Sequence, residues 1–176
     1  MRNLSFGDTI RLYSMDIEML YTLCFCRSGN QLLMLYRHRP PNKGLWNGIG
    51  GKIEPNESPE QSIRREICEE TGIQSKEMTC FFFAGTVSWT GIVENQHRGM
   101  YVYIVDVPPS LIFDTRETPE GILEWKNREW ILNMNNHDVV SNIPIFLPPM
   151  LKSKIPKVFH FTYVGEDIKE VAITSL

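Results

Sequence analysis

Residues 51 to 73 read GKIEPNESPEQSIRREICEETGI, and this stretch limits the possible folds more than any other. Residues 58–72 carry the marks of a helix. Ser58 can cap its N-terminus, Pro59 suits the first turn and Gln61 completes a capping box. Gly72 suits the position just past the C-terminus. Yet Glu66, Glu69 and Glu70 crowd the last turns. A helix turns by about 100° per residue, so the three carboxylates share an arc of about 100°. Glu66 and Glu70 form an i,i+4 like-charge pair, which costs about 0.2–0.5 kcal/mol. Anions in a last turn cost about 0.3–1 kcal/mol against the helix dipole. Ile63 and Ile67 lie on the same arc, so the carboxylates border the apolar stripe rather than open water. A solvated acidic face is the commoner use of such a run. Here local rules break at a helix end whose caps are otherwise well chosen, and that points to function. A bound divalent cation reverses the sign of the repulsion. The donors are hard oxygens with no histidine among them, which favours Mg2+ or Mn2+ over Zn2+.

The chain has 176 residues, 42% of them hydrophobic, and one domain over 1–176 is expected. Its 18 basic and 21 acidic residues leave a net charge of -3. No basic excess marks a nucleic-acid polymer as partner, whereas a small ligand fits. No apolar run of about 18 residues occurs, so no membrane span is expected. The opening MRNLSFGDTI lacks the apolar core of a signal peptide, and a cytoplasmic location is expected. Cys24, Cys26, Cys68 and Cys80 read as free thiols, with Cys24 and Cys26 buried on one side of a strand. Strands are expected over 19–26 and 31–38 as a hairpin, over 79–90 and 99–107, and around 122–125. Residues 157–165 and 168–173 read as a closing hairpin. Residues 39–44 read as a loop, 45–53 as extended and glycine-rich, and 143–154 as a helix blurred by prolines. Many strands, few helices and no regular βαβ alternation give an α+β class.

The spacing is more specific than the composition. Gly51 is followed by Glu57, then Arg65-Glu66-Ile67, Glu69-Glu70 and Gly72-Ile73, in the pattern G-x5-E-x7-R-E-I-x-E-E-x-G-I. The stretch resembles the signature box of the Nudix hydrolases. That resemblance implies an α/β/α sandwich with a mixed sheet and hydrolysis of a nucleoside diphosphate linked to another group. It implies Glu66, Glu69 and Glu70 as ligands of Mg2+ (or Mn2+), together with the Gly50 carbonyl. Glu66 or Glu70 is also the candidate base, Arg65 would hold Glu57, and Lys52 would approach the phosphates.

Three further segments, LWNGIGGK (45–52), EGILEW (120–125) and FHFTYVG (159–165), are similar to the oxidised-purine nucleoside triphosphatases of the MutT-type branch. On that comparison Asn47 would hydrogen-bond a purine edge and Glu120 would add a carboxylate near the metal. Arg37 would face phosphate or sugar, and Trp89 and Phe146 would line the base pocket. Each has a plainer use as turn, surface or core residue. The chain departs from the mammalian enzymes of this branch, which carry an adjacent aspartate pair that reads the base. The nearest positions here are Asn142 and Ile143; Asn142 can read a base edge and Ile143 cannot. His38, His97, His137 and His160 show no metal-site spacing and read as surface or satisfied histidines.

The expected activity is release of a nucleoside monophosphate and pyrophosphate from oxidised purine nucleotides such as 8-oxo-dGTP, a nucleotide-pool cleaning role linked to DNA repair. ADP-ribose, nucleotide sugars and dinucleoside polyphosphates are alternatives. Against them, Ser88 stands where ADP-ribose enzymes often carry proline, and Trp89-Thr90-Gly91 where dinucleotide enzymes often carry tyrosine. A nucleotide-sensing module without catalysis is a third reading, and all box glutamates being present weighs against it. No heptad or apolar surface stripe appears, so a monomer is expected, with a dimer as the alternative.

Overall fold

The computed structural model describes residues 2–3, 16–94 and 96–175. The N-terminal stretch, apart from Arg2 and Asn3, lies outside the described residues. In chain order the elements begin with strands β1 (Arg2–Asn3), β2 (Glu18–Ser28), β3 (Gln31–Arg37) and β4 (Trp46–Asn47), then helix α1 (Pro59–Thr71). Strands β5 (Cys80–Thr90), β6 (Arg98–Asp106), β7 (Arg116–Glu117) and β8 (Gly121–Asn127) follow. The short helix α2 (Arg128–Ile131), helix α3 (Ile143–Lys152) and strands β9 (Lys157–Val164) and β10 (Asp167–Ser175) complete the fold.

The strands form one sheet in the order β1-β10-β9-β5-β6-β2-β3-β8-β7, with β4 beside β3. It is mixed: β2 runs parallel to β6 and β5 parallel to β9, while β9–β10 and β3–β8 are antiparallel. The expected hairpin of β2 and β3 forms only at its turn, where Arg27 pairs with Leu32 and Ser28 with Gln31. Beyond it the two strands splay, and the glycine-rich segment fills the gap. Cys24 and Ile49 exchange backbone hydrogen bonds of 2.6 and 2.9 Å, and Thr22 N–H donates to Gly51 at 2.9 Å. Unpaired backbone groups inside a sheet are costly, so the splay needs this inserted segment.

Two cores sandwich the sheet. On one face Ile63 and Ile67 of α1 pack on Cys24, Cys26, Leu33 and Leu35. On the other, Ile143, Phe146, Leu147 and Met150 of α3 pack on Phe25, Met34, Phe159 and Phe161. This is the expected α/β/α arrangement. The helix α3 stops at Lys152 and carries Pro148 and Pro149 inside it, so its place depends on those buried side chains more than on its own backbone bonds. Cys24 and Cys26 are free and buried, their sulfurs 4.0 Å apart, and burial raises the Cys24 thiol well above its ordinary range. No helix among the described residues is long and apolar enough to cross a membrane.

Candidate active site

Helix α1 carries the caps its sequence announces. The Ser58 hydroxyl accepts from Gln61 N–H at 3.2 Å, and the Gln61 side chain accepts from Ser58 N–H at 2.8 Å. At the other end Gly72 takes φ 79° and donates to Cys68 at 2.9 Å. With Ile63 and Ile67 fully buried, the helix is rolled so that Glu66 and Glu70 face the loop inserted beside β2. Glycines make that approach possible. A Cβ at Gly51 would stand 2.4 Å from Glu66 Oε1, and one at Gly50 would stand 2.2 Å from the Thr22 carbonyl. Gly50 also has φ 149°, a conformation L side chains rarely adopt.

A cavity of about 380 Å3 opens there. Its walls are Gly50 and Gly51, Glu66, Glu69 and Glu70 of α1, Arg37 of β3, and Thr118, Pro119 and Glu120 from the turn before β8. So the fold joins the box to Arg37 and Glu120, which are far from it in sequence. Thr118 and Pro119 carried no signal in the sequence beyond their nearness to Glu120.

Arg65 organises the acids. It grips Glu57 through Nε and Nη2 at 2.8 and 3.0 Å, and its Nη1 reaches Glu66 at 2.8 Å and Glu69 at 3.1 Å. Its Nη2 also donates to the Lys52 carbonyl at 3.4 Å, tying helix to loop. The fork geometry of guanidinium suits this multiple grip. The hydrogen bonds from Arg65 hold Glu57 down at about 2, and those same partners raise Arg65. Glu70 stands apart. Burial first, and then the Glu66 charge, push it up to about 8, although Gly50 N–H donates to it at 3.3 Å. Burial also raises Glu66, against the pull of Arg65.

Arg37 donates through Nε to the Pro41 carbonyl at 2.8 Å, and Glu120 lies 3.9 Å from Arg37 and 3.8 Å from Arg39. Arg39, an exposed cation that meets the cavity only through Glu120, carries no signal in the sequence. The side chain of Lys52 is exposed and does not line the cavity. Asn47 pairs with Leu35 and folds its Oδ1 onto Gly48 N–H at 2.9 Å, the turn use of an asparagine. Trp89 is half-buried on the α3 face, stacked on Tyr21 at 6.2 Å. Asn142 is buried at the start of α3. Phe146 is corrected: it is fully buried against Phe25 and Phe159, a core residue with no surface to offer a ligand. His160 is a satisfied core histidine, with Nδ1 2.8 Å from the Ser88 hydroxyl, and burial lowers it to about 4.

The family model for the NUDIX domain matches residues 20–141, from β2 past the cavity to the loop before α3. The chain belongs to the Nudix family. Two relatives share a stretch of it. The mouse oxidized purine nucleoside triphosphate hydrolase is 36% identical over 59 residues, 34% of this chain and 38% of that protein. The NAD-capped RNA hydrolase NudC of Haemophilus influenzae is 37% identical over 65 residues, 36% of this chain and 24% of that protein. The chain thus spans well under half the length of these curated relatives. Among solved structures, the MutT protein of Bacillus halodurans superposes with a TM-score of 0.69 over 87% of this chain and 95% of that one, at 22% identity. The MutT protein of Methanosarcina mazei gives 0.61 over 79% and 97%, at 25% identity. The sandwich seen here is therefore the MutT fold.

The Nudix resemblance implies a divalent metal, and the residues can be tested against it. Four carboxylates face one cavity, two of them desolvated and repelling each other, and all donors are hard oxygens. That chemistry fits a hard divalent cation. Among the described residues no three such groups converge on one point by themselves, and Arg65 engages Glu66 and Glu69. Glu66, Glu69 and Glu70 are the side chains on the cavity wall that could hold such an ion.

Proposed function

We propose that this protein is a divalent-cation-dependent hydrolase that converts nucleoside triphosphates to nucleoside monophosphate and pyrophosphate, with oxidised purine nucleotides such as 8-oxo-dGTP as substrates. The observation that carries the reading is the cavity itself: Glu70 at about 8 beside Glu66, with Arg37 across from them. When bound, Mg2+ or Mn2+ supplies charge neutralisation to a polyphosphate and acidifies a water. The chain's own residues do the rest. The ionised Glu70 carboxylate binds a proton more tightly than an ordinary glutamate, which fits it to take one from the attacking water. Glu66 and Glu69 add ligand oxygens, and Arg65 with Glu57 fixes their rotamers. Arg37, with Arg39 at the rim, offers guanidinium donors to phosphate oxygens. Glu120 lies within ion-pair distance of both arginines. Trp89 offers a ring face for a base, and Asn47 and Asn142 offer amides for its edge.

Product analysis on a nucleotide panel tests this. Pyrophosphate release led by 8-oxo-dGTP, present with Mg2+ and abolished by EDTA, is expected. A lead by ADP-ribose, by diadenosine tetraphosphate or by an NAD-capped RNA would keep the acid cavity and reject the substrate assignment. Tight nucleotide binding with no product would reject catalysis.

A further inference from the structure

On the α3 face, away from the acid cavity, Tyr21 and Trp89 stack with centroids 6.2 Å apart and planes 20° from parallel. Both rings are half-buried. Arg98 stands directly opposite Trp89 in the β5–β6 register, so the two share that face. Its Nη1 donates to the Tyr21 hydroxyl at 3.3 Å. Its Nε is buried without a hydrogen-bond partner, and Arg98 has no ion pair among the described residues. A buried guanidinium N–H left without an acceptor is costly, and native proteins keep few of them. Arg98 also borders a second cavity of about 350 Å3, with Asp16, Glu18, Gln96 and His97. Of these groups the hydrolytic scheme uses only Trp89.

The chemistry of the corner selects its occupant. The rings offer a flat apolar face at the edge of which stands a group that only donates. Asp16 and Glu18 line the same cavity, so an anionic group is repelled there and a neutral carbonyl oxygen is not. The backbone of Tyr21 pairs with Lys52, the residue after Gly51, so the corner adjoins the glycine loop along β2.

We propose that Arg98 is a specificity-determining residue: it donates to a carbonyl oxygen on the edge of a base lying on Tyr21 and Trp89, and so favours keto purines of the guanine type over amino purines of the adenine type. The inference rests on the nucleoside triphosphate reading above. In adenine-type bases the matching exocyclic position carries an amino group, which meets the guanidinium donor to donor.

The test is kcat/KM for dGTP, 8-oxo-dGTP, dATP and 8-oxo-dATP, with wild type, Arg98→Gln and Arg98→Lys, and a melting curve for each. Wild type is expected to prefer the guanine-type pair. In Arg98→Gln that preference falls by about tenfold or more, chiefly through KM, as loss of a charge-assisted hydrogen bond implies. Arg98→Lys keeps a donor but loses the planar fork, so its preference falls only a few-fold, and this variant decides the matter if Arg98→Gln does not fold. An equal loss for all four substrates assigns Arg98 a structural role and overturns the proposal. So does an unchanged ratio, or a wild type that prefers adenine-type bases. Those outcomes leave the triphosphatase reading intact; wild-type failure on all four triphosphates overturns both.

Discussion

On the α1 face of the sheet, two glutamates are pushed to opposite protonation behaviour; on the α3 face, one lysine is held by rings and an acid. Glu57, gripped by Arg65, is held down at about 2, whereas Glu70, buried beside Glu66, is pushed up to about 8. The nearby Arg37 is turned to the Pro41 carbonyl and does not pair with Glu70. Across the sheet, Lys126 lies 4.3 Å from the Trp46 ring and 5.1 Å from Trp130, with Glu124 at 2.7 Å. The α1 face therefore holds negative charge that the protein alone does not balance. On the α3 face Lys126 has its acid partner, whereas Arg98 has none among the described residues. Reactive chemistry belongs where the imbalance is, and recognition belongs where flat surfaces are.

The strongest break of this comparison is Glu70→Gln. If Glu70 is the proton acceptor, turnover with Mg2+ falls by about 10²–10⁴-fold. Steady-state pyrophosphate release measures it, and near-normal turnover would move the base to Glu66. The same substitution alters stability without metal. An acid raised from 4.5 to about 8 is protonated in the folded state and ionised in the unfolded state between those values. The folded protein binds the extra proton, so stability falls as pH rises through that window and levels off above it. Melting in EDTA should show this slope in wild type and lose much of it in Glu70→Gln. Glu57 contributes with the opposite sign: its share is present above about pH 4.5 and is lost as pH falls towards 2.

On the other face, Phe146→Ala is expected to cost about 3–5 kcal/mol, read from the denaturant midpoint, because the ring is fully enclosed by Phe25 and Phe159. A small loss of stability with a large rise in KM would instead return Phe146 to a base pocket. Back on the α1 face, Arg65→Met removes the grip on Glu57, Glu66 and Glu69 without removing a ligand. Mg2+ affinity should weaken by about 10–100-fold in a metal titration of activity. No change would mean that the carboxylates keep their rotamers without it.

The two faces also differ in how far the sequence disclosed them. Helix α1 was legible to its caps, because Ser58, Pro59, Gln61 and Gly72 act locally and the box spacing places its acids. The strands were legible from their apolar runs. The splay of β2 from β3 was not, because a turn signal fixes only the first pairs and the insertion of residues 49–53 is a tertiary event. Arg37 and Glu120 meet the box only through the β3–β8 pairing, so their nearness to it came from resemblance and not from spacing. Phe146 shows the limit from the other side: an aromatic on a helix reads the same in sequence whether it meets a base or the core.

The smallest effect expected is at Lys126. Its ammonium lies over Trp46 and Trp130, and Trp46 immediately precedes Asn47. Trp46 is held on every side: it pairs with Tyr36, donates its N–H to Asp138 at 2.7 Å and accepts from Val140 N–H at 3.0 Å. The cation adds one restraint among several. Lys126→Met keeps the apolar stem and removes the charge, so about 1 kcal/mol should be lost, or about 2–4 °C in Tm. Lys126→Arg should restore most of it, since guanidinium also lies well on indole. Neither change touches the acid cavity, so Mg2+ affinity should stay as it is while stability moves. A matching drop in Mg2+ affinity would show that β4 transmits strain to the glycine loop at Gly50 and Gly51, and the two faces would then have to be treated as one coupled site.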